Sequence, residues 1–283
     1  MGYIMLLDSG DLTTIVWNLI FGLVIMMIYI QGLIIIMEKA VTSGKLSSDL
    51  SRKVIHIAAG SFIWVWLFMD PSDDWSYAFN IAVPLLFFLT FLFKGFTLPA
   101  DTDDKDVIAM TRTGNPRELL KGPLYFTIVM MIAGTLLFGS YAGMLMMAIV
   151  GWGDGLAPYI GQRWGNRKYK TLGREKSIEG SIGVLIFSIF GSLIFLVLLG
   201  IIGDDSNADK AVLADPNADL MLIIIVIVLL GIVAMVVEAI SPADIDNLLI
   251  PASTIIALAI IDILLGDTFF LVWRIGGDTF SFN

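Results

Sequence analysis

The strongest constraint on this chain is a run of apolar segments that recurs along nearly its whole length. Eight can be read, at 12–37, 54–69, 77–93, 122–138, 141–160, 181–203, 220–240 and 248–271. A helix needs about 20 apolar residues to cross the hydrocarbon core, and in lipid every backbone polar group must be satisfied within the segment. Composition agrees: 57% of residues are hydrophobic and 15% charged, against a soluble norm of roughly 25%. Mean hydropathy is +0.87. The expectation is an all-α integral membrane protein of about eight transmembrane helices. Residues 1–283 are read as one polytopic domain, because the intervening polar stretches are too short for a separate soluble one. The run from Leu12 to Met37 exceeds the h-region of a signal peptide and lacks a basic flank.

Charge orients the segments. With the N-terminus placed outside, the inner stretches 38–53, 94–121, 161–180 and 241–247 hold 15 of the 17 Lys and Arg residues. Only Lys210 and Arg274 fall on the other side, whose loops carry Asp70, Asp73, Asp74, Asp204, Asp205, Asp209, Asp215 and Asp219. The positive-inside rule then puts both termini outside and the basic loops in the cytoplasm of a cell membrane. The net charge of −9 arises mainly on the outer face, so nucleic-acid binding is not indicated.

Residue types narrow the chemistry. There is no cysteine and a single histidine, His56, which excludes thiolate nucleophiles, disulfides and multi-histidine zinc sites. Carboxylates, Lys, Arg, hydroxyls and a hard cation such as Mg²⁺ remain. Gly151–Ser181 concentrates them. Asp154 stands between Gly153 and Gly155, Gly161 and Gly165 follow, then the cations Arg163, Arg167, Lys168, Lys170, Arg174 and Lys176. Glu179, Gly180 and Ser181 close the stretch at an expected helix N-terminus, a seat for phosphate. The glycines are expected to form a turn that lets backbone approach a ligand around one carboxylate. A plain basic loop would also have this charge.

Three further places stand out. Arg52, Lys53 and His56 fall on one helical face, which Gly60 continues. Glu118 and Lys121 are three apart before Gly122-Pro123, spaced for an ion pair at a helix start. Glu238 is followed by a turn with Asp244, Asp246 and Asn247 but no Lys or Arg, unlike the other inner stretches, which favours a metal or a basic partner there. Pro251 is expected in the first turn of the next helix. Asp262 lies far along that helix, where a structural role is expected, and DTDDKD at 101–106 reads as a solvated face.

Taken in order, RKVIH (52–56), GPLYF (122–126), GDGLAPYIGQRWG (153–165), KSIEGS (176–181) and DN-x-x-I-P (246–251) resemble the polyprenol kinase family, which includes phytol kinase, dolichol kinase and the CTP-dependent diacylglycerol kinase of fungi. The likeness covers about residues 50–260. It departs where Pro158 and Tyr159 follow GDGLA, and where Ile245 precedes Asp246 in place of a second acid. The resemblance implies transfer of the γ-phosphate of a nucleoside triphosphate, usually CTP with ATP not excluded, to a long isoprenoid or lipid alcohol such as phytol, geranylgeraniol, dolichol or diacylglycerol. It implies Mg²⁺ on Asp154, joined by Glu179, Glu238 or Asp246. Lys176, Arg52 and Lys53 would neutralise phosphates, and His56 or a carboxylate would accept the alcohol proton. Gly153, Gly155, Gly161, Gly165, Lys168, Glu179, Gly180, Ser181, Asn247 and Lys121 would cradle the nucleotide. No Walker A loop occurs.

Two rivals share features. CTP:phosphatidate cytidylyltransferases carry a similar D-x-x-A-x-x-x-G…K-x-x-E-G arrangement, but their closing KD…PGHGG…DR-x-D signature has no counterpart after residue 238. A transporter would place polar groups near the bilayer midplane and show repeats, and neither is seen. Oligomeric state is not legible.

Overall fold

The computed structural model describes residues 9–66, 68, 76–138, 140–172, 174–202, 220–242, 245–265, 273–275 and 278–280. The acidic 204–219 stretch with Lys210, Asp70, Asp73, Asp74 and Asp244 lie outside the described residues.

The chain opens with α1 (Ser9–Leu19), a π-helical turn (Ile20–Ile25) and α2 (Met26–Thr42) in one continuous rod. Then follow α3 (Ser48–Ser61), α4 (Ile63–Trp66), α5 (Ala82–Thr97), α6 (Lys105–Met110) and α7 (Gly122–Gly134). Next come α8 (Tyr141–Ala148), a second π turn (Ile149–Asp154) and α9 (Gly155–Trp164). A hairpin of β1 (Lys168–Thr171) and β2 (Arg174–Ser177) leads into α10 (Ile178–Ile202), α11 (Leu220–Ile240) and α12 (Asp246–Leu265), and β3 (Trp273–Ile275) pairs with β4 (Asp278–Phe280). The two antiparallel hairpins were not expected of an all-α chain. Lys168 pairs with Ser177 and Thr171 with Arg174, a register that closes the basic loop back on itself.

Helix α8 is the axis of the bundle. Its sequence YAGMLMMA is apolar on every side, and every one of its residues is buried. A helix without a polar face has to be surrounded, and α8 with its π turn is touched by α3, α7, α10 and α12. The peripheral helices instead show one apolar stripe to the outside. On α10 the exposed residues are Ile182, Ile186, Phe190, Leu193 and Val197, spaced as one helical face. Leu85, Leu86, Leu89, Phe93 and Phe96 do the same on α5. Contiguous apolar surface of that extent marks a lipid-facing side.

By length and composition, five helices can cross a membrane: Leu12–Thr42, Ala78–Thr97, Ile178–Leu198, Leu220–Ile240 and Asp246–Leu265. The chain is thus an all-α-type, multi-pass membrane protein, with five such helices among the described residues. The segments 54–69, 122–138 and 141–160 fall short because they are broken. α3 stops at Ser61 before the four-residue α4, α7 ends at Gly134, and α8 passes into the π turn. α12 begins at Asp246, so Pro251 falls beyond the first turn and not within it. Asp262 is buried at 4% exposure, far along α12 from its Asp246 end.

Local signals fix where the helices at the motif-bearing end begin. Ser47 caps α3 by accepting from Leu50 N, and Asp104 caps α6 by accepting from Asp106 N and Val107 N. DTDDKD is therefore not a solvated face throughout. Asp106 is 2% exposed, and Lys94 stands 2.7 Å from Asp104 and 2.6 Å from Asp106, a pairing that makes burial of the second carboxylate tolerable.

Candidate active site

α3 carries the cationic wall. Capping at Ser47 sets its phase, and the spacing 52, 53, 56 then turns Arg52, Lys53 and His56 into one cavity. Lys53 is 6% exposed and held by Asp49, whose Oδ2 lies 2.6 Å from its ammonium. Asp49 also accepts from Gln162 of α9 at 3.0 Å and faces Arg112 Nε at 3.6 Å, so one carboxylate ties three parts of the chain together. Burial alone would raise the Asp49 carboxyl. Hydrogen bonds from Lys53 and Gln162, with the charges of Lys53 and Arg52, outweigh it and hold the group below the ordinary carboxylate value.

Asp154 ends the second π turn. Such turns widen a helix by one residue and recur at functional sites. The glycines around it do not form a ligand-hugging turn, as the sequence suggested. They let helices touch. A Cβ added at Gly60 would lie 2.9 Å from Gly151 Cα, and one at Gly155 would lie 2.6 Å from Ile57 Cγ1. Gly153 is packed against Ser188 of α10. This close approach brings α3 against Asp154, with His56 Nε2 3.7 Å from Asp154 Oδ2. His56 Nε2 also lies 3.0 Å from the Val150 carbonyl, and its ring packs on Phe126 at 4.4 Å between centroids. A nitrogen facing a carbonyl donates to it, which leaves the lone pair of a neutral imidazole on Nδ1.

The hairpin delivers the third wall. β2 points Lys176 across to α11, where its ammonium lies 2.8 Å from Glu238 Oε1 and also donates to the Glu238 main-chain carbonyl. Glu238 Oε2 accepts from Ser181 at 3.5 Å, and Ser181 Oγ stands 2.6 Å from the Tyr169 hydroxyl. Asp246 and Asn247 open α12 and are 8% and 5% exposed. Asn247 Oδ1 has no hydrogen-bond partner. Gly122 lies close opposite it: a Cβ there would stand 3.0 Å from Asn247 Nδ2 and 3.5 Å from Arg52 Nη1.

These walls enclose one cavity of about 530 Å³. Its polar side is made by Arg52, Lys53, His56, Asp154, Lys168, Lys176, Glu238, Asp246 and Asn247, with Gly155, Gly161, Gly180 and Ser181 at the backbone. Its other side is apolar, lined by Met26, Ile30, Ile55, Ala59, Val83, Phe87, Phe91, Phe126 and Met130. Among the described residues no three His, Asp or Glu side chains form a cluster that could hold an ion. Mg²⁺ is commonly held by one or two carboxylates plus phosphate oxygens, not by an all-protein cage. Asp154, Asp246 and Glu238 all line this cavity, together with Arg52 and Lys176. One or two such carboxylates beside phosphate oxygens are a donor set that fits Mg²⁺.

Several expected residues are elsewhere. Glu179 lies outside the cavity lining; its carboxylate accepts from Arg167 N at 3.2 Å, bracing the hairpin. Gly153 and Gly165 serve packing, Gly165 against Ser177. Lys121 is exposed and does not line the cavity. Glu118 accepts from Arg112 N at 2.6 Å and from the Thr113 hydroxyl. Three residues were missed: Asp49, Arg112 and Gln162. Only Asp49 left a trace, its i,i+4 spacing to Lys53.

The fold and site define a multi-pass helical membrane protein with a cavity at one end that is charged on one side and apolar on the other. No protein-family profile matches the chain. No solved structure matches it. Curated proteins do. The chain is 33% identical over 160 residues to the probable phytol kinase 1, chloroplastic, of Glycine max, covering 56% of this chain and 52% of that protein. It is 30% identical over 216 residues to the Oryza sativa subsp. japonica protein of the same name, covering 75% and 64%. It is 28% identical over 230 residues to phytol kinase 1, chloroplastic, of Arabidopsis thaliana, covering 80% and 71%. The likeness read from the motifs therefore holds: the chain is similar to phytol kinases over more than half of its length, which supports the polyprenol kinase resemblance. The matched part spans 52% and 64% of the first two relatives' length.

Proposed function

We propose that the chain is a membrane lipid-alcohol kinase that moves the γ-phosphate of a nucleoside triphosphate, CTP by family resemblance, to the hydroxyl of a long isoprenoid alcohol. The observation that carries this is the two-sided cavity, which offers cations and carboxylates to phosphates and an apolar side to a chain. The alcohol oxygen bonds to Pγ as the bond from Pγ to the β-bridging oxygen breaks, and the nucleoside diphosphate leaves. The hydroxyl proton passes to His56, at the Nδ1 that the Nε2–H contact to the Val150 carbonyl leaves unprotonated, or to a carboxylate of the site. Phosphoryl transfer asks mainly for positioning and charge neutralisation, and Arg52, Lys53 and Lys176 supply the positive charge. Asp154 and Asp246 would hold Mg²⁺, which supplies further neutralisation of the phosphate oxygens.

The same reading places eight crossings, with both termini outside and the cavity on the side of the basic loops, cytoplasmic in a cell membrane. Its support is the charge asymmetry of the loops.

Acceptor choice tests the activity. Purified chain in detergent, with CTP and Mg²⁺, is expected to phosphorylate phytol, geranylgeraniol or dolichol and to leave phosphatidic acid untouched. A reaction with phosphatidic acid and none with any alcohol would contradict the reading.

A further inference from the structure

The apolar side of the cavity is an arm with a direction. Four helices each give it one i,i+4 stripe, among them Met26 and Ile30 of α2, Val83, Phe87 and Phe91 of α5, and Ala59 of α3. Arg52, His56 and Ala59 follow one another along a single face of α3, so polarity falls away from the phosphate side. Met26 lies sixteen residues before the end of α2, about 24 Å at 1.5 Å per residue, and Val83 lies fourteen before the end of α5, about 21 Å. The arm thus reaches into the depth of a hydrocarbon core that is about 30 Å thick.

Size sets a limit. Pockets of about 300–1,000 Å³ enclose one drug-sized ligand. At about 530 Å³ the cavity is too small for a nucleoside triphosphate together with a whole C20 chain. A tail that enters the arm therefore has to leave it. α2 packs on α3 and α6, and α5 packs on α7, on the 3₁₀ turn Pro116–Leu120 and on the π turn Ile20–Ile25, while α2 and α5 touch each other at most at isolated points. Beyond that seam, the outer faces of both helices are apolar and exposed, at Ile28 and Ile36 on α2 and at Leu89 and Phe93 on α5.

Resting on the kinase reading, we propose that the arm takes the hydroxyl-proximal isoprene units of the acceptor and that the rest of the chain passes between α2 and α5 into the bilayer. The site then selects the first units of the tail and sets no upper limit on its length.

Two C20 isoprenoid alcohols, one with a diazirine near the hydroxyl and one with it at the far end, are photolysed with the full chain in lipid nanodiscs and the adducts mapped by mass spectrometry. Proximal adducts are expected at Ala59 and Met130, and distal ones at lipid-facing residues of α2 and α5. Distal adducts confined to α10, α11 or α12 would overturn the path. In parallel, Ile30→Trp is expected to raise KM for the C20 alcohol about tenfold with KM for CTP unchanged; an equal rise in both would contradict it. If the unmodified chain phosphorylates no alcohol, the kinase reading fails, and the adduct map still decides where an alcohol tail lies.

Discussion

Gly60→Ala is a one-carbon test of how the site is assembled. The new Cβ would stand 2.9 Å from Gly151 Cα and 3.6 Å from the Met147 carbonyl. The nearest obstacle is backbone, which cannot rotate away, so α3 has to retreat by roughly half an ångström to one ångström to reach ordinary contact. Overpacking of this kind costs about 1–3 kcal/mol. The functional cost is larger, because His56 is one turn from Gly60 and Asp154 is three residues past Gly151. A misplacement of about 1 Å in a catalytic constellation lowers rates by up to about 10²-fold. The expected result is a 10- to 100-fold loss of kcat for transfer to a lipid alcohol, with a lowered unfolding temperature in detergent. Gly32→Ala is the control, since nothing lies within 4 Å of its added Cβ. Wild-type rate and stability in Gly60→Ala would refute the helix-contact account of these glycines.

Asp154→Asn is expected to lower kcat by at least about 10²-fold with the fold retained, the scale seen for loss of one preorganised charge-stabilising group; circular dichroism and γ-label transfer check it. Lys176→Met is expected to lower kcat more than it raises KM, because a cation aimed at the moving phosphate acts most where charge develops. It also strands Glu238, so adding Glu238→Gln is expected to restore part of the stability lost, read as a double-mutant cycle. For Asp49→Asn the sign follows from its lowered carboxyl: the wild-type advantage is full above the ordinary carboxylate pKa and is lost as pH falls through the lowered one. With the Asp49 side chain 31% exposed, that advantage is expected to be at most about 1 kcal/mol, measured as unfolding at pH 7 against pH 3.

Membrane character and the convergence of the motif-bearing ends were legible in the sequence, because hydropathy and basic loops report directly on which helix ends share a side. Arg52, Lys53, His56, Asp154, Lys176, Glu238, Asp246 and Asn247 all reached one cavity. The packing role of the glycines was not legible. Spacing shows that Gly151, Gly153 and Gly155 are close in sequence, but only packing shows that Gly60 and Ile57 press on them from another helix. The fate of Glu179 was hidden for a related reason. Its partner is the backbone of Arg167, brought near by a hairpin whose short strands have no alternating apolar pattern. Asp49 was overlooked because two of its three partners, Arg112 and Gln162, lie more than sixty residues away in sequence.

The central claim is that this cavity moves a terminal phosphate to an alcohol. The direct measurement supplies purified chain, Mg²⁺ and a C20 isoprenoid alcohol with CTP labelled in either the α- or the γ-phosphate. The account predicts γ-label in a lipid monophosphate and α-label retained in CDP. Transfer of α-label to lipid with release of pyrophosphate would contradict it and point to nucleotidyl transfer.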